Sequence, residues 1–205
     1  IEFCNELIER NLGITWQMPS GTRSEVFDEE VADLLYRSGC RALAFAPESG
    51  APEILEAVKK QVNIGALVSA ARIALKRGFT VSCFFVIGFP QETRATLRPT
   101  MQLVRRLAVL GIHDVAVTKF VPYPGSALFR QLQETGKIQL DDEFFVSPMD
   151  FYTTKAPSYA DAISSRRLYL TMLWMFTNFY VLSFVCRPFR VVRVLWNAVT
   201  RGAEE

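Results

Sequence analysis

The stretch CFFVIGFPQET, Cys83 to Thr93, decides the fold. Its first half, Cys83 to Ile87, is apolar without alternation; it stops on Gly88-Phe89-Pro90 and turns polar at Gln91-Glu92-Thr93. A solvated strand alternates apolar and polar side chains, whereas a strand buried on both faces reads as a continuous apolar run, as in a parallel sheet covered by helices. Parallel neighbours must be joined by crossovers, usually helical, so the flanking sequence has to supply a helix on each side.

It does so repeatedly. Gly13, Gly39, Gly78 and Gly111 each follow a helical pattern and precede a short apolar or β-branched run, in ERNLGITWQM, YRSGCRALAFA, ALKRGFTVSCFFVI and AVLGIHDVAVTKFV. Each glycine can close its helix in the left-handed conformation. The units are roughly one strand plus one crossover helix long. In FDEEVADLLYRSG, Asp28 is a plausible cap, acids fill the first turn, and Val31, Leu34 and Leu35 form a buried stripe. APEILEAVKK and NIGALVSAARIALKRG lie between the second and third strands. TRATLRPTMQLVRRLAVLG follows the third, with Thr93 as its cap, Pro99 in its first turns, and Leu97, Met101, Val104 and Leu107 or Ala108 on one face. This alternation predicts an α/β protein with a parallel sheet.

All four strand ends carry glycine or proline, in PSGTR, PESG, GFPQET and PYPGS. Ligands of parallel α/β folds bind at this edge, where glycine admits a close backbone approach and proline stiffens a loop. Turns contain these residues for their own reasons, but four at one edge point to a ligand site.

The ordered set FAPESG, FFVIGFPQET and PYPGSALFRQL resembles radical S-adenosylmethionine (SAM) enzymes, in the subgroup often carrying an upstream cobalamin-binding domain. The resemblance covers roughly residues 1 to 137. It implies an incomplete parallel (β/α) barrel, of which this chain supplies strands three to six, with a C-terminal helical tail. It also implies an enzyme that cleaves SAM to a 5′-deoxyadenosyl radical, or uses it for methyl transfer, to modify an apolar or lipid-like substrate. The implied cofactors are SAM, a four-iron–four-sulfur cluster and cobalamin in an upstream domain; the implied electron donor is of flavodoxin or ferredoxin type.

Carried over residue by residue, the resemblance places Glu48, Ser49 and Gly50 near the SAM ribose and methionyl group. Val86, Ile87, Gly88, Phe89 and Pro90 would pack on adenine, and Pro122 and Tyr123 would border adenine and substrate. Arg23 would hold the SAM carboxylate or a substrate phosphate. Each has an alternative role: Glu48 as a cap for the helix near Ala51, Arg23 in a surface ion pair, Tyr123 in packing at the barrel mouth. Glu92 and Thr93 read mainly as the start of the next helix.

The family's Cys-x3-Cys-x2-Cys loop is absent. Cys4, Cys40, Cys83 and Cys186 are far apart and read as reduced thiols of a cytosolic protein, leaving no metal ligands in this chain. The opening FCNELIERNLG reads as a helix already in progress, so the expectation is a fragment that would not perform the chemistry alone. The single histidine, His113, suits a turn or edge role.

The expected domains are the barrel over 1–140, a linker over 141–162 and a hydrophobic, basic helical tail over 163–201. From Lys155 onward seven basic residues stand against three acidic, a net of +4, while the first 154 residues carry 16 basic and 18 acidic, a net of −2. Leu168 to Cys186 has no charge, and Arg187, Arg190 and Arg193 follow at threefold spacing with Val191, Val194, Leu195 and Trp196 among them. These features suit a membrane surface contacted through 168–200, a bilayer span, or two helices packed on the barrel. The localisation expected is cytoplasmic, peripheral to or anchored in the inner membrane.

Half of the residues are apolar and 21% charged, and the net charge is only +2; this is a folded chain with no electrostatic case for nucleic-acid binding. Two other readings remain: a non-catalytic, membrane-associated remnant or binding module on the same fold, and a different (β/α) barrel enzyme such as an aldolase-like lyase, for which Lys119 is the candidate Schiff-base lysine.

Overall fold

The four strands β1 (Trp16–Met18), β2 (Cys40–Glu48), β3 (Thr80–Ile87) and β4 (Asp114–Lys119) form one sheet, all parallel and in the order of the sequence. A computed structural model describes residues 1–146, 156–190, 192 and 196. Because strand order never reverses, every right-handed crossover returns on the same face. Helices α2 (Glu29–Arg37), α4 (Ile64–Arg77), α5 (Arg94–Leu110) and α8 (Ser165–Cys186) therefore cover one side of the sheet. This is the layout of an incomplete (β/α) barrel, as expected. The chain also forms shorter helices α1 (Glu2–Arg10), α3 (Pro52–Ala57), α6 (Ala127–Glu134) and α7 (Asp142–Val146).

The helix starts are chemically explicit. Asp28 accepts the Val31 N–H at 2.8 Å, Asn63 accepts that of Ala66 at 3.0 Å, and Thr93 and Thr96 form a reciprocal capping box. Gly78 and Gly111, at φ +100° and +109°, close α4 and α5. Pro99 falls in the second turn of α5.

The apolar strand β3 alternates in burial despite its uniform composition. Val81, Cys83, Phe85 and Ile87 are sealed beneath the helices, while Ser82, Phe84 and Val86 are half-buried. The sequence alone predicted burial on both faces. The second face is the inner face of the partial barrel, and space is left there.

Helix α8 belongs to the main core. Leu168, Met172, Met175 and Phe179 recur at helical spacing, are at most 1% exposed, and join the core shared with α5 and β4. The described part of the stretch expected as a linker is also packed, with Phe144, Ala156, Tyr159 and Ala160 buried. Residues 147–155 of that stretch lie outside the described residues, as does Arg193.

Arg187 and Arg190, expected at a membrane surface, both reach the end of α5. Arg187 donates to the carbonyl oxygens of Ala108, Val109 and Leu110, and Arg190 to those of Gly111 and Ile112. Helix α5 has no basic residue in its last turn. The negative dipole end of α5 and its terminal carbonyls attract these two guanidinium groups instead.

Candidate functional site

A cavity of about 700 Å³ opens at the carboxyl ends of β2, β3 and β4. Glu48 comes from the end of β2, Val86 and Phe89 from the end of β3, and Phe120 and Tyr123 from the segment after β4. Three of the four trailing loops thus meet at one rim. The fourth does not: Arg23 is exposed beyond β1 and lies outside the cavity lining.

Glu48 is held in the left-handed region at φ +61°, a conformation that costs a non-glycine residue about 1–2 kcal/mol. Its Oε1 lies 3.0 Å from the Lys60 ammonium, and both side chains are partly shielded from water. Lys60 is placed by the way α3 ends. The Lys60 N–H bonds to the Leu55 carbonyl at 2.8 Å and the Lys59 N–H to that of Glu56 at 3.0 Å, the double closure of a Schellman turn. Lys59 takes the left-handed position, φ +56°, that glycine usually fills. Of the three described non-glycine residues with positive φ, two therefore border this cavity.

The cavity wall is apolar. Phe89 packs with Ala51 and Ile54, and its ring lies 4.9 Å from that of Phe120, with Val86 and Leu128 beside them. Tyr123 stands at the rim, 72% exposed.

The remaining expected residues stand behind the wall. Ile87 is fully buried under the helices, and Pro90 and Pro122 are buried outside the cavity lining. The Pro90 carbonyl accepts the Asp161 N–H at 3.1 Å. Gly88 has φ +92°, and a Cβ there would come within 2.7 Å of Leu168 Cδ1. Ser49 Oγ is 3.0 Å from Thr100 Oγ1, which also receives the Gly50 N–H at 3.0 Å. A Cβ on Gly50 would meet the Pro99 carbonyl oxygen at 2.6 Å. Ser49 and Gly50 thus dock the end of β2 against α5.

Glu92 begins the turn into α5 but does more than start a helix. It is fully buried, and its Oε2 accepts the Gly88 N–H. Burial pushes its carboxyl up to about 7, against the backbone N–H groups of Gly88 and Phe89, which pull it down. Among the described residues its Oε1 has no hydrogen-bond partner. The carboxyl ties together the loop that carries Phe89.

Sequence reasoning missed Lys60, Phe120 and Leu128. The signal for Lys60 was the lysine pair closing the short helix that directly follows the Glu48 turn. Lys119 is 3% exposed, and its ammonium donates to the Ala156 carbonyl at 3.3 Å and Ser165 Oγ at 3.2 Å. It anchors the start of α8, a bonded role that does not suit a Schiff-base amine. His113 Nδ1 accepts the Val81 N–H at 3.1 Å, an edge role as expected.

The residues present do not fit an iron–sulfur cluster. Cys4, Cys40 and Cys83 are buried free thiols, and Cys186 is exposed. Burial raises the Cys83 thiol to about 12 and also raises Cys40, which disfavours the thiolate a metal requires. Among the described residues no three Cys, His, Asp or Glu side chains gather as a metal site.

An uncharacterized methyltransferase of Pyrococcus horikoshii is 32% identical over 129 residues, 63% of this chain and 27% of that protein. The chain spans about a quarter of the length of the curated relatives it matches. Two solved structures share the fold. One is the radical S-adenosylmethionine methyltransferase TsrM of Kitasatospora setae with cobalamin and a [4Fe-4S] cluster bound, at TM-score 0.54, 20% identity, 64% of this chain and 27% of that one. The other is the coproporphyrinogen III oxidase of Escherichia coli, a radical SAM enzyme, at TM-score 0.57, 15% identity, 87% of this chain and 36% of that one. The profile of the Radical SAM superfamily matches residues 1–104, half of the chain. The chain belongs to the radical SAM superfamily.

Proposed function

We propose that this chain forms the SAM-binding portion of an enzyme that modifies an apolar or lipid-like substrate. The observation that carries the reading is the Glu48–Lys60 pair at the mouth of an apolar cavity. The methionyl end of SAM is a zwitterion. A carboxylate beside an ammonium complements it: Glu48 takes the SAM ammonium or the ribose hydroxyls, and Lys60 takes the carboxylate. The strained backbone of Glu48 is consistent with a side chain aimed for binding. Val86, Phe89 and Tyr123 supply apolar surface for adenine, and the same wall excludes water from the reacting centre.

Bound SAM supplies a carbon radical, after one-electron reduction, or a methyl group. The residues of this chain bind and orient it. The iron–sulfur cluster finds no ligands here and belongs to another part of the enzyme, as would cobalamin of the kind bound to TsrM. A flavodoxin or ferredoxin would supply the electron. Residues that line the cavity without a partner among the charged groups, chiefly Phe120 and Leu128, favour an apolar substrate.

The test is SAM binding by calorimetry on the intact, anaerobically handled protein. Removing a charge-assisted contact costs about 1.5–3 kcal/mol, so Glu48→Gln and Lys60→Met should each weaken SAM about tenfold or more. Wild-type affinity in both variants would overturn the assignment.

A further inference from the structure

Helix α8 has two apolar faces, and the core uses only one. Leu168, Met172, Met175, Phe179 and Ser183 turn inward. On the other side Leu170, Trp174, Val181 and Val185 are all more than half exposed, at spacings of four, seven and four residues. Phe189, beyond the helix, continues the stripe at 85% exposure.

We infer that this outer face lies on the surface of an anionic membrane, with α8 parallel to the bilayer. Charge selects this occupant. Residues 162–186 contain Arg166 and Arg167 and no acidic residue, and α5, the neighbouring helix, contains Arg94, Arg98, Arg105 and Arg106 and no acidic residue. Arg166, Arg167 and all four arginines of α5 are exposed. Arg105 reaches Asn178 at 2.8 Å, one turn from Trp174, so positive charge flanks the apolar stripe directly. An apolar stripe bordered by arginines, with an exposed tryptophan, is the surface that anionic headgroups and the upper acyl chains accept.

The packing of α8 selects the orientation. Its 22 residues are long and apolar enough to cross a bilayer. A crossing would pull Leu168 away from Gly88 and four further residues out of the core. It would also break the bonds of Ser165 to Lys119, Tyr180 to Asp114, and Arg187 to α5. Lying flat keeps all of them.

The test is flotation of the intact protein with phosphatidylcholine vesicles, with and without phosphatidylglycerol. The protein should float with the anionic vesicles, be released by alkaline carbonate, and show a blue shift of tryptophan emission that is absent in Trp174→Gln. The triple variant Trp174→Gln, Val181→Gln, Val185→Gln changes only exposed side chains and should lower vesicle binding at least about tenfold. Arg166→Gln with Arg167→Gln should weaken binding and reduce its salt dependence. Three outcomes overturn the inference: no flotation; resistance to carbonate, which would mean a span; or a self-associated protein that the triple variant renders monomeric, which would mean that a second copy covers the face. SAM affinity is read separately, so neither proposal can fail on account of the other.

Discussion

Arg187 donates a hydrogen bond of 2.9 Å to the carbonyl oxygen of Leu110, joining the end of α8 to the end of α5. The same guanidinium reaches Val109 at 3.0 Å and Ala108 at 3.3 Å. It supplies the positive charge that the last turn of α5 lacks. Arg187→Ala should cost about 1–3 kcal/mol of unfolding free energy in urea titrations of the intact protein. A variant as stable as wild type would show that water replaces the guanidinium without loss.

Gly50 sits where β2 meets α5. A Cβ at Gly50 would lie 2.8 Å from both the Pro99 carbonyl carbon and Thr100 Cα, which are backbone atoms of a packed helix. Gly50→Ala should therefore destabilise by about 2 kcal/mol or more. Gly125→Ala is the control. Its Cβ would meet nothing within 4 Å, and only its φ of +89° opposes it, so the loss should be near 1 kcal/mol.

Lys59 occupies a left-handed position that closes α3. Its side chain is exposed, so relief of backbone strain should dominate any substitution by glycine. Lys59→Gly should raise the melting temperature, corresponding to about 0.5–1 kcal/mol. SAM affinity should stay unchanged, because the Schellman closure that places Lys60 is kept.

Glu92 predicts a pH dependence. The folded chain holds this proton up to about 7, whereas its ordinary value is 4.5. Between those values the folded state binds more protons than the unfolded state, so this contribution to stability falls as pH rises and is flat above about 7. In Glu92→Gln the amide oxygen still accepts the Gly88 N–H and the titration is gone. Relative to wild type, the variant should gain on the order of 2 kcal/mol between about pH 5 and about pH 7.5. Parallel stability curves for the two proteins across that range would refute the assignment.

The amino-acid sequence by itself determined the parallel sheet, its four strands with the helices between them, and the edge at which their trailing loops open a cavity. These follow from local rules: the apolar run Cys83 to Ile87, the caps Asp28 and Thr93, and the glycines that end helices act within a few residues of themselves. The sequence also singled out Glu48, Val86, Phe89 and Tyr123, which the fold brings to one cavity. Tertiary structure alone decided what their neighbours do. Ser49 and Gly50 turn to Thr100, some fifty residues away, and Arg187 and Arg190 turn to carbonyls nearly eighty residues away. Lys60 joins Glu48 only because α3 ends in a left-handed turn. A charge or a hydroxyl in sequence shows its capacity to bond, but its partner is chosen by the packing of helices that no local pattern encodes.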